Sequence, residues 1–289
     1  MKSKGKLFRE VLATEKPVVQ LGAYDALSAR LIEQAGCKSM FIGGFQVVGA
    51  RYGVPDVGLR AFGDISAAVR DILAATDIPA LVDCDDGYGD VKNVVHTLHS
   101  YERIGAGAVI FEDQAWPKRC GHMAGKRIVA AEEMEAKIRA ASSERLDPDT
   151  FIFARTDARS VEGLDNALRR AERYIKAGAD GIFVEAPENV EELAKIGKSF
   201  DVPQIANPLE GGKTPILSPQ EFADLGFSIL PYGITLLLRA AKTLRDSIED
   251  TISGRFDLWG SGMGFEEFQQ AVGGPEWARI DDTYSPKKP

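Results

Sequence analysis

The chain has 289 residues, 44% hydrophobic and 27% charged, with a formal net charge of -8. That length and mix fit one large domain or two small ones, and an acidic balance with no dense Lys/Arg cluster excludes a nucleic-acid-binding surface. No apolar run approaches the roughly 18 residues of a membrane span, and the opening MKSKGKLFRE lacks the apolar stretch of a secretory signal, so a cytoplasmic protein is expected.

Eight short apolar runs alternate with amphipathic helical stretches, the mark of parallel β/α units. In chain order the predicted strands are Pro17–Leu21, Ser39–Ile42, Pro79–Val82, Ala108–Glu112, Phe151–Arg155, Gly181–Glu185, Gln204–Asn207 and Ser228–Pro231. Several intervening helices stop at glycine, as in QAGC, RIGAGA and KAGADG, where glycine relieves a left-handed turn. Eight parallel strands close into a TIM-type β/α barrel and leave no exposed edge; a doubly wound open sheet is the other arrangement with this pattern. Residues 1–250 are assigned to the barrel, and 251–289 to a helical or extended tail that packs on the barrel or on a partner subunit. Gln114–Lys126, after the fourth strand, is polar and glycine-rich and is expected to be a surface loop or lid.

Active sites of such barrels lie at the C-terminal strand ends, which here are acidic: Asp83-Cys84-Asp85-Asp86, Glu112-Asp113, Arg155-Thr156-Asp157, Glu185 and Asn207. Alternation along a strand puts Asp83 and Asp85 on one face. Clustered oxygen ligands with few histidines suit a hard cation, and magnesium is the natural choice. The competing use is N-capping of the next helix by Asp85 or Asp86. His96 and His99 lack a third ligand and read as surface or packing residues, which disfavours zinc.

Three cysteines, odd in number and without metal-site spacing, argue against a disulfide framework. Cys37 and Cys84 read as small buried fillers. Lys118-Arg119-Cys120-Gly121-His122 is different, because a thiol between two cations and a histidine is expected to have a lowered pKa or rapid proton exchange. The alternative is an incidental cysteine in a solvated basic loop.

The runs VDCDDGYGD, FEDQ, PKRCGH, ARTDA, VEA and AN, in this order, resemble the isocitrate lyase and phosphoenolpyruvate mutase superfamily from about Phe8 to Arg245. KRCGH is similar to the catalytic loop of its lyases rather than of its phosphonate-forming mutases. The resemblance implies that Asp83, Asp85 and Glu112 hold magnesium, or manganese, Asp85 directly and the others largely through water that Asp56 supports. It implies substrate contacts from Arg155, Glu185 and Asn207 and from the Gly43-Gly44 backbone, with Cys120 as proton donor among Lys118, Arg119 and His122. The implied reaction is a reverse aldol or Claisen-type cleavage of a 2-hydroxy acid to a 2-oxo acid and a carboxylate. The aromatic-rich tail Phe256–Trp277 has more apolar surface than a finished barrel needs to cover, so a homotetramer is expected, and the resemblance adds an exchanged C-terminal helix.

Three departures bear on substrate and base. Phe41 stands where many relatives have tyrosine, so any base role of that phenol has no carrier; Tyr88 or a magnesium-bound water are the stand-ins. Leu209, in Asn207-Pro208-Leu209-Glu210-Gly211-Gly212-Lys213, replaces a threonine that would serve a third carboxylate. Gly233 stands where a hydroxyl residue is common. These features favour a substituted 2-hydroxy dicarboxylate of the 2,3-dimethylmalate kind. Methylisocitrate cleavage, oxaloacetate hydrolysis, and carboxyphosphonoenolpyruvate or phosphonopyruvate mutase chemistry are the alternatives. A catalytically silent barrel is the non-enzymatic one, and the acidic strand ends and loop cysteine speak against it.

Overall fold

A computed structural model describes residues 2–286 of the chain. Eight parallel strands pair in sequence order: β1 (Val18–Gly22), β2 (Met40–Ile42), β3 (Ala80–Asp83), β4 (Ala108–Glu112), β5 (Phe151–Thr156), β6 (Gly181–Val184), β7 (Gln204–Ile205) and β8 (Ile229–Tyr232). β8 then pairs with β1, Val18 opposite Ile229 and Leu21 opposite Tyr232, so the sheet is a closed barrel and not an open one. Each predicted run falls on one strand. Pro17 and Pro79, read as strand starts, lie just ahead of the ladder.

Both faces of the strands are buried, as a parallel sheet covered by helices requires. Val109, Phe111, Ile152, Ala154 and Val184 point outward into the layer beneath the helices. Leu81, Ile110, Phe153, Phe183 and Ile205 point inward and fill the barrel. The N-terminal helix Lys4–Thr14, capped by Ser3 accepting from the Lys6 N–H, closes the lower end with Phe8, which is 1% exposed. The Phe8 ring stands 5.8 Å from Phe151 and 6.4 Å from Phe153, edge-on to the latter. The three predicted glycine stops end helices as expected, Gly36 at φ 86, Gly105 at φ 97 and Gly178 at φ 114, a region costly for side chains.

The chain divides into two compact units, one ending at Leu237 and the other beginning at Leu238, within the helix Thr235–Ile252. In the second unit the buried Asp250 accepts the backbone N–H groups of Asp257 and Leu258, both at 3.0 Å. Helices Phe265–Ala271 and Gly274–Tyr284 follow. Trp259 (83% exposed), Phe265 (80%) and Trp277 (68%) lie open on it. Among the described residues no helix is long and apolar enough to cross a membrane.

Candidate active site

The inward parity that fills the barrel continues to its C-terminal mouth, where the chemistry changes. Leu81 is followed two residues on by Asp83, Ile110 by Glu112, Phe153 by Arg155, Phe183 by Glu185 and Ile205 by Asn207. Asp83 and Asp85 meet for a different reason from the expected alternation. β3 stops at Asp83, Asp85 takes a left-handed backbone (φ 50) that aspartate tolerates better than most residues, and its N–H donates to Asp83 Oδ1 at 3.1 Å. Neither Asp85 nor Asp86 caps the next helix; Asp90 does, accepting from the Lys92 and Asn93 N–H groups.

The segment Gln114–Lys126 folds onto this mouth. Its two ends are joined by a bridge between Gln114 and Ile128 and by the Ala115 N–H donating to Arg127 O at 2.8 Å. The Gln114 amide grips Arg119, accepting its N–H at 2.9 Å and donating to its carbonyl at 2.8 Å. The Cys120 N–H donates to Asp56 O at 3.2 Å. Lys118 Nζ lies 2.6 Å from Asp85 Oδ1 and 2.7 Å from Asp56 Oδ1, all three residues being buried. His122 accepts the Lys213 N–H on Nδ1 at 3.0 Å, so Nε2 carries the proton and faces Glu185 Oε1 at 3.3 Å. The Asn207 amide is 3.4 Å from Nε2.

Charge is dense and shielded from water. Arg155 is ringed by carboxylates, Asp157 Oδ2 at 2.9 Å, Glu185 Oε2 at 3.2 Å and Glu112 Oε2 at 3.3 Å. Burial alone would raise the Glu185 pKa, but Arg155 and His122 bring it down to about 2, so it stays ionised. Asp85 goes the other way, to about 7, because burial and the neighbouring Asp83 and Asp56 outweigh Lys118. Burial also holds Glu112 well above the usual carboxylate range, against the pull of Arg155.

Cys120 corrects one expectation: burial pushes its thiol up, not down. The flanking cations are engaged elsewhere. Lys118 faces Asp85 and Asp56, and the exposed Arg119 turns its guanidinium back along its own loop, against Gly125 and toward Ala124 O. His122 faces Glu185. Tyr88 is a second correction. It packs on Phe62, with ring centroids 5.7 Å apart, outside the cavity at the mouth, and burial drives its hydroxyl well above the ordinary tyrosine value. It is no stand-in base. Cys84 is buried and Cys37 packs against the core, while His96 lies 5.1 Å from the Phe62 ring.

The cavity at the mouth, about 60 Å³, is lined by polar groups, Arg155, His122, Glu185 and Asn207 among them, and by the apolar side chains of Phe41, Phe45, Phe183, Leu209 and Ile234, with the Arg155 guanidinium 5.3 Å from the centre of the Phe183 ring. Phe41 and Gly233 belong together, since a Cβ on Gly233 would stand 3.1 Å from the Phe41 ring. Gln46, which no sequence pattern singled out, lines the same cavity; it is 1% exposed and its Nε2 lacks a hydrogen-bond partner.

Among the described residues no three His, Cys, Asp or Glu side chains converge as a ready coordination set. Yet Glu112 Oε1 is buried without a hydrogen-bond partner, and Asp83, Asp85 and Glu112 offer only hard carboxylate oxygens. Such donors fit magnesium, which keeps several of its waters and takes one or two carboxylates directly.

The sequence profile of the phosphoenolpyruvate phosphomutase family matches residues 8–252. The chain is 38% identical over 282 residues to 2,3-dimethylmalate lyase of Eubacterium barkeri, covering 96% of each protein. It superposes on oxaloacetate acetylhydrolase in complex with 3,3-difluorooxalacetate with a TM-score of 0.93 at 28% identity, over 99% of this chain and 98% of that one. Phosphonopyruvate hydrolase in complex with oxalate and Mg++ superposes with a TM-score of 0.88 at 27% identity, over 99% and 100%. With its closed barrel, acidic strand ends and matching span, the chain belongs to the phosphoenolpyruvate phosphomutase family, among the enzymes of the superfamily shared with isocitrate lyase.

Proposed function

We propose that the chain is a magnesium-dependent carbon–carbon lyase that cleaves a substituted 2-hydroxy dicarboxylate, of the 2,3-dimethylmalate kind, into a 2-oxo acid and a carboxylate. The observation that carries this reading is the KRCGH loop itself, which brings a half-buried, neutral thiol to a cavity shared with Arg155, Asn207 and the acidic strand ends. A neutral thiol is a proton donor, and a lyase needs one for the carbon left behind.

Asp85 would hold magnesium directly and Asp83 and Glu112 through water, with Asp56 supporting that water. The ion would supply Lewis-acid polarisation of the carbonyl oxygen that forms. Arg155 and Asn207 bind a substrate carboxylate, and the first turn of helix Gly44–Tyr52, with Gly43 before it, offers backbone N–H groups to a carboxylate or keto oxygen. Glu185, ionised throughout, fixes Arg155 and His122. A base takes the hydroxyl proton, the carbon–carbon bond breaks toward the carboxylate enolate, and Cys120 Sγ delivers a proton to its carbon. Lys118 and His122 hold the loop down and keep water out. Leu209, Ile234 and Phe41 offer no hydrogen-bond donor of their own and suit an alkyl substituent.

A panel of 2-hydroxy and 2-oxo dicarboxylates tests the reading. Cleavage of 2,3-dimethylmalate to pyruvate supports it; pyruvate with succinate from methylisocitrate, or oxalate with acetate from oxaloacetate, replaces the substrate, and a phosphonate product replaces the reaction class. Excess chelator abolishes turnover and magnesium or manganese restores it; activity that persists in chelator removes the metal assignment. The open aromatic surface of the C-terminal unit supports a homotetramer in which the tail packs on a partner, because monomers rarely leave so much apolar surface exposed. A monomeric mass at micromolar concentration would refute that.

A further inference from the structure

Lys126 stands at the root of the KRCGH loop, on its returning arm, and is buried although it is a lysine. Its ammonium donates to two acceptors. One is Asp157 Oδ1, at 2.6 Å; the other is the carbonyl of Gly121, the residue after Cys120. Asp157 lies just past β5, is fully buried, and is held by its own N–H donating to Asp113 Oδ1 at 2.9 Å. The same carboxylate takes Arg155 Nε at 2.9 Å and Nη2 at 3.1 Å. The Asp157 carboxylate therefore joins Arg155, which lines the cavity, to the lysine that grips the loop tip.

The grip holds at the point of closest approach. A Cβ on Gly121 would come within 2.3 Å of Arg155 Nη2 and 2.4 Å of Glu185 Oε2, so the Gly121 backbone rests directly on that ion pair. A buried ammonium left short of acceptors is costly, and the seated loop supplies Lys126 with its second one. We infer that Lys126 is a positioning residue: through Gly121 it seats Cys120 over the cavity, and through Asp157 it ties that seating to the arginine that receives the substrate. The inference deepens the lyase reading and rests on it for the role of Cys120.

The test uses the full-length protein with Lys126→Met and Lys126→Arg, and reads iodoacetamide modification of the Cys120 peptide by mass spectrometry, with and without magnesium and oxalate as a small dicarboxylate probe. In Lys126→Met the loop tip is released. Cys120 modification is expected to rise about tenfold, protection by magnesium and oxalate to be lost, and kcat to fall roughly hundredfold, the scale of an ångström-sized misplacement. KM is expected to stay within about threefold. Lys126→Arg, which keeps donors for both acceptors, is expected to restore protection. A folded Lys126→Met with Cys120 modification and kcat within about twofold of the parent overturns the inference. If Lys126→Met does not fold, Lys126→Gln takes its place, and parental Cys120 modification there overturns it equally. Modification needs no turnover, so if the parent cleaves none of the acids offered, the lyase reading falls while the seating of the loop is still decided.

Discussion

The two ends of the barrel are closed by opposite chemistry. At the lower end, Phe8 from the helix Lys4–Thr14 meets Phe151 and Phe153, apolar surface against apolar surface. At the upper end a polar loop is held by Lys118 on Asp85 and Asp56, by Lys126 on Asp157, and by His122 on Glu185. Apolar burial needs no particular atoms and stabilises in proportion to area. Buried ion pairs contribute little net stability but fix geometry, and water or an anion can exchange for them. One closure is permanent and the other is suited to opening.

Cys120→Ser should separate the two ends most sharply. The hydroxyl is a far weaker acid, so kcat on the true substrate is expected to fall by roughly 10²–10⁴, with KM and the unfolding midpoint little changed. Near-parental kcat would move the proton donor elsewhere. Phe8→Ala should do the reverse: a loss of about 3–5 kcal/mol in denaturant unfolding, with activity per folded molecule retained. If it instead lowered kcat while leaving stability alone, the division between the ends would be wrong. The smallest effect concerns the pH dependence of Cys120 modification. Because burial raises this thiol's pKa, the thiolate forms at higher pH than in a free cysteine, and the modification rate should still be climbing past the ~8.5 at which free cysteine is half ionised. A midpoint at about 7 would restore the activated thiolate that the flanking charges led one to expect.

Much of the upper end was legible because it rests on a two-residue period. Once the apolar runs are recognised, the residues two beyond Leu81, Ile110, Phe153, Phe183 and Ile205 are committed to the mouth, and all five are polar. What stayed hidden depends on contacts far along the chain. Nothing local distinguishes Lys126 from any loop lysine, since Asp157 lies 31 residues away. Gln46 reads as a helix residue until the cavity is seen. Phe8 precedes the first strand, and its partners, Phe151 and Phe153, lie far downstream. Sequence proximity of Cys120 to Lys118 and Arg119 says nothing of where their side chains turn, and both turn to other partners.

The contact of Gly121 with the Arg155–Glu185 pair bears on how this enzyme can change its diet. Between that glycine and the ions there is no room for a methyl group, so a library of loop variants should keep glycine alone at 121 while the exposed Met123 accepts wide replacement. Innovation would then enter through the cavity's other lining residues, where Phe41, Leu209 and Gly233 set its apolar contour. A lineage adopting a new acid would inherit the glycine of the lid and rewrite those apolar positions.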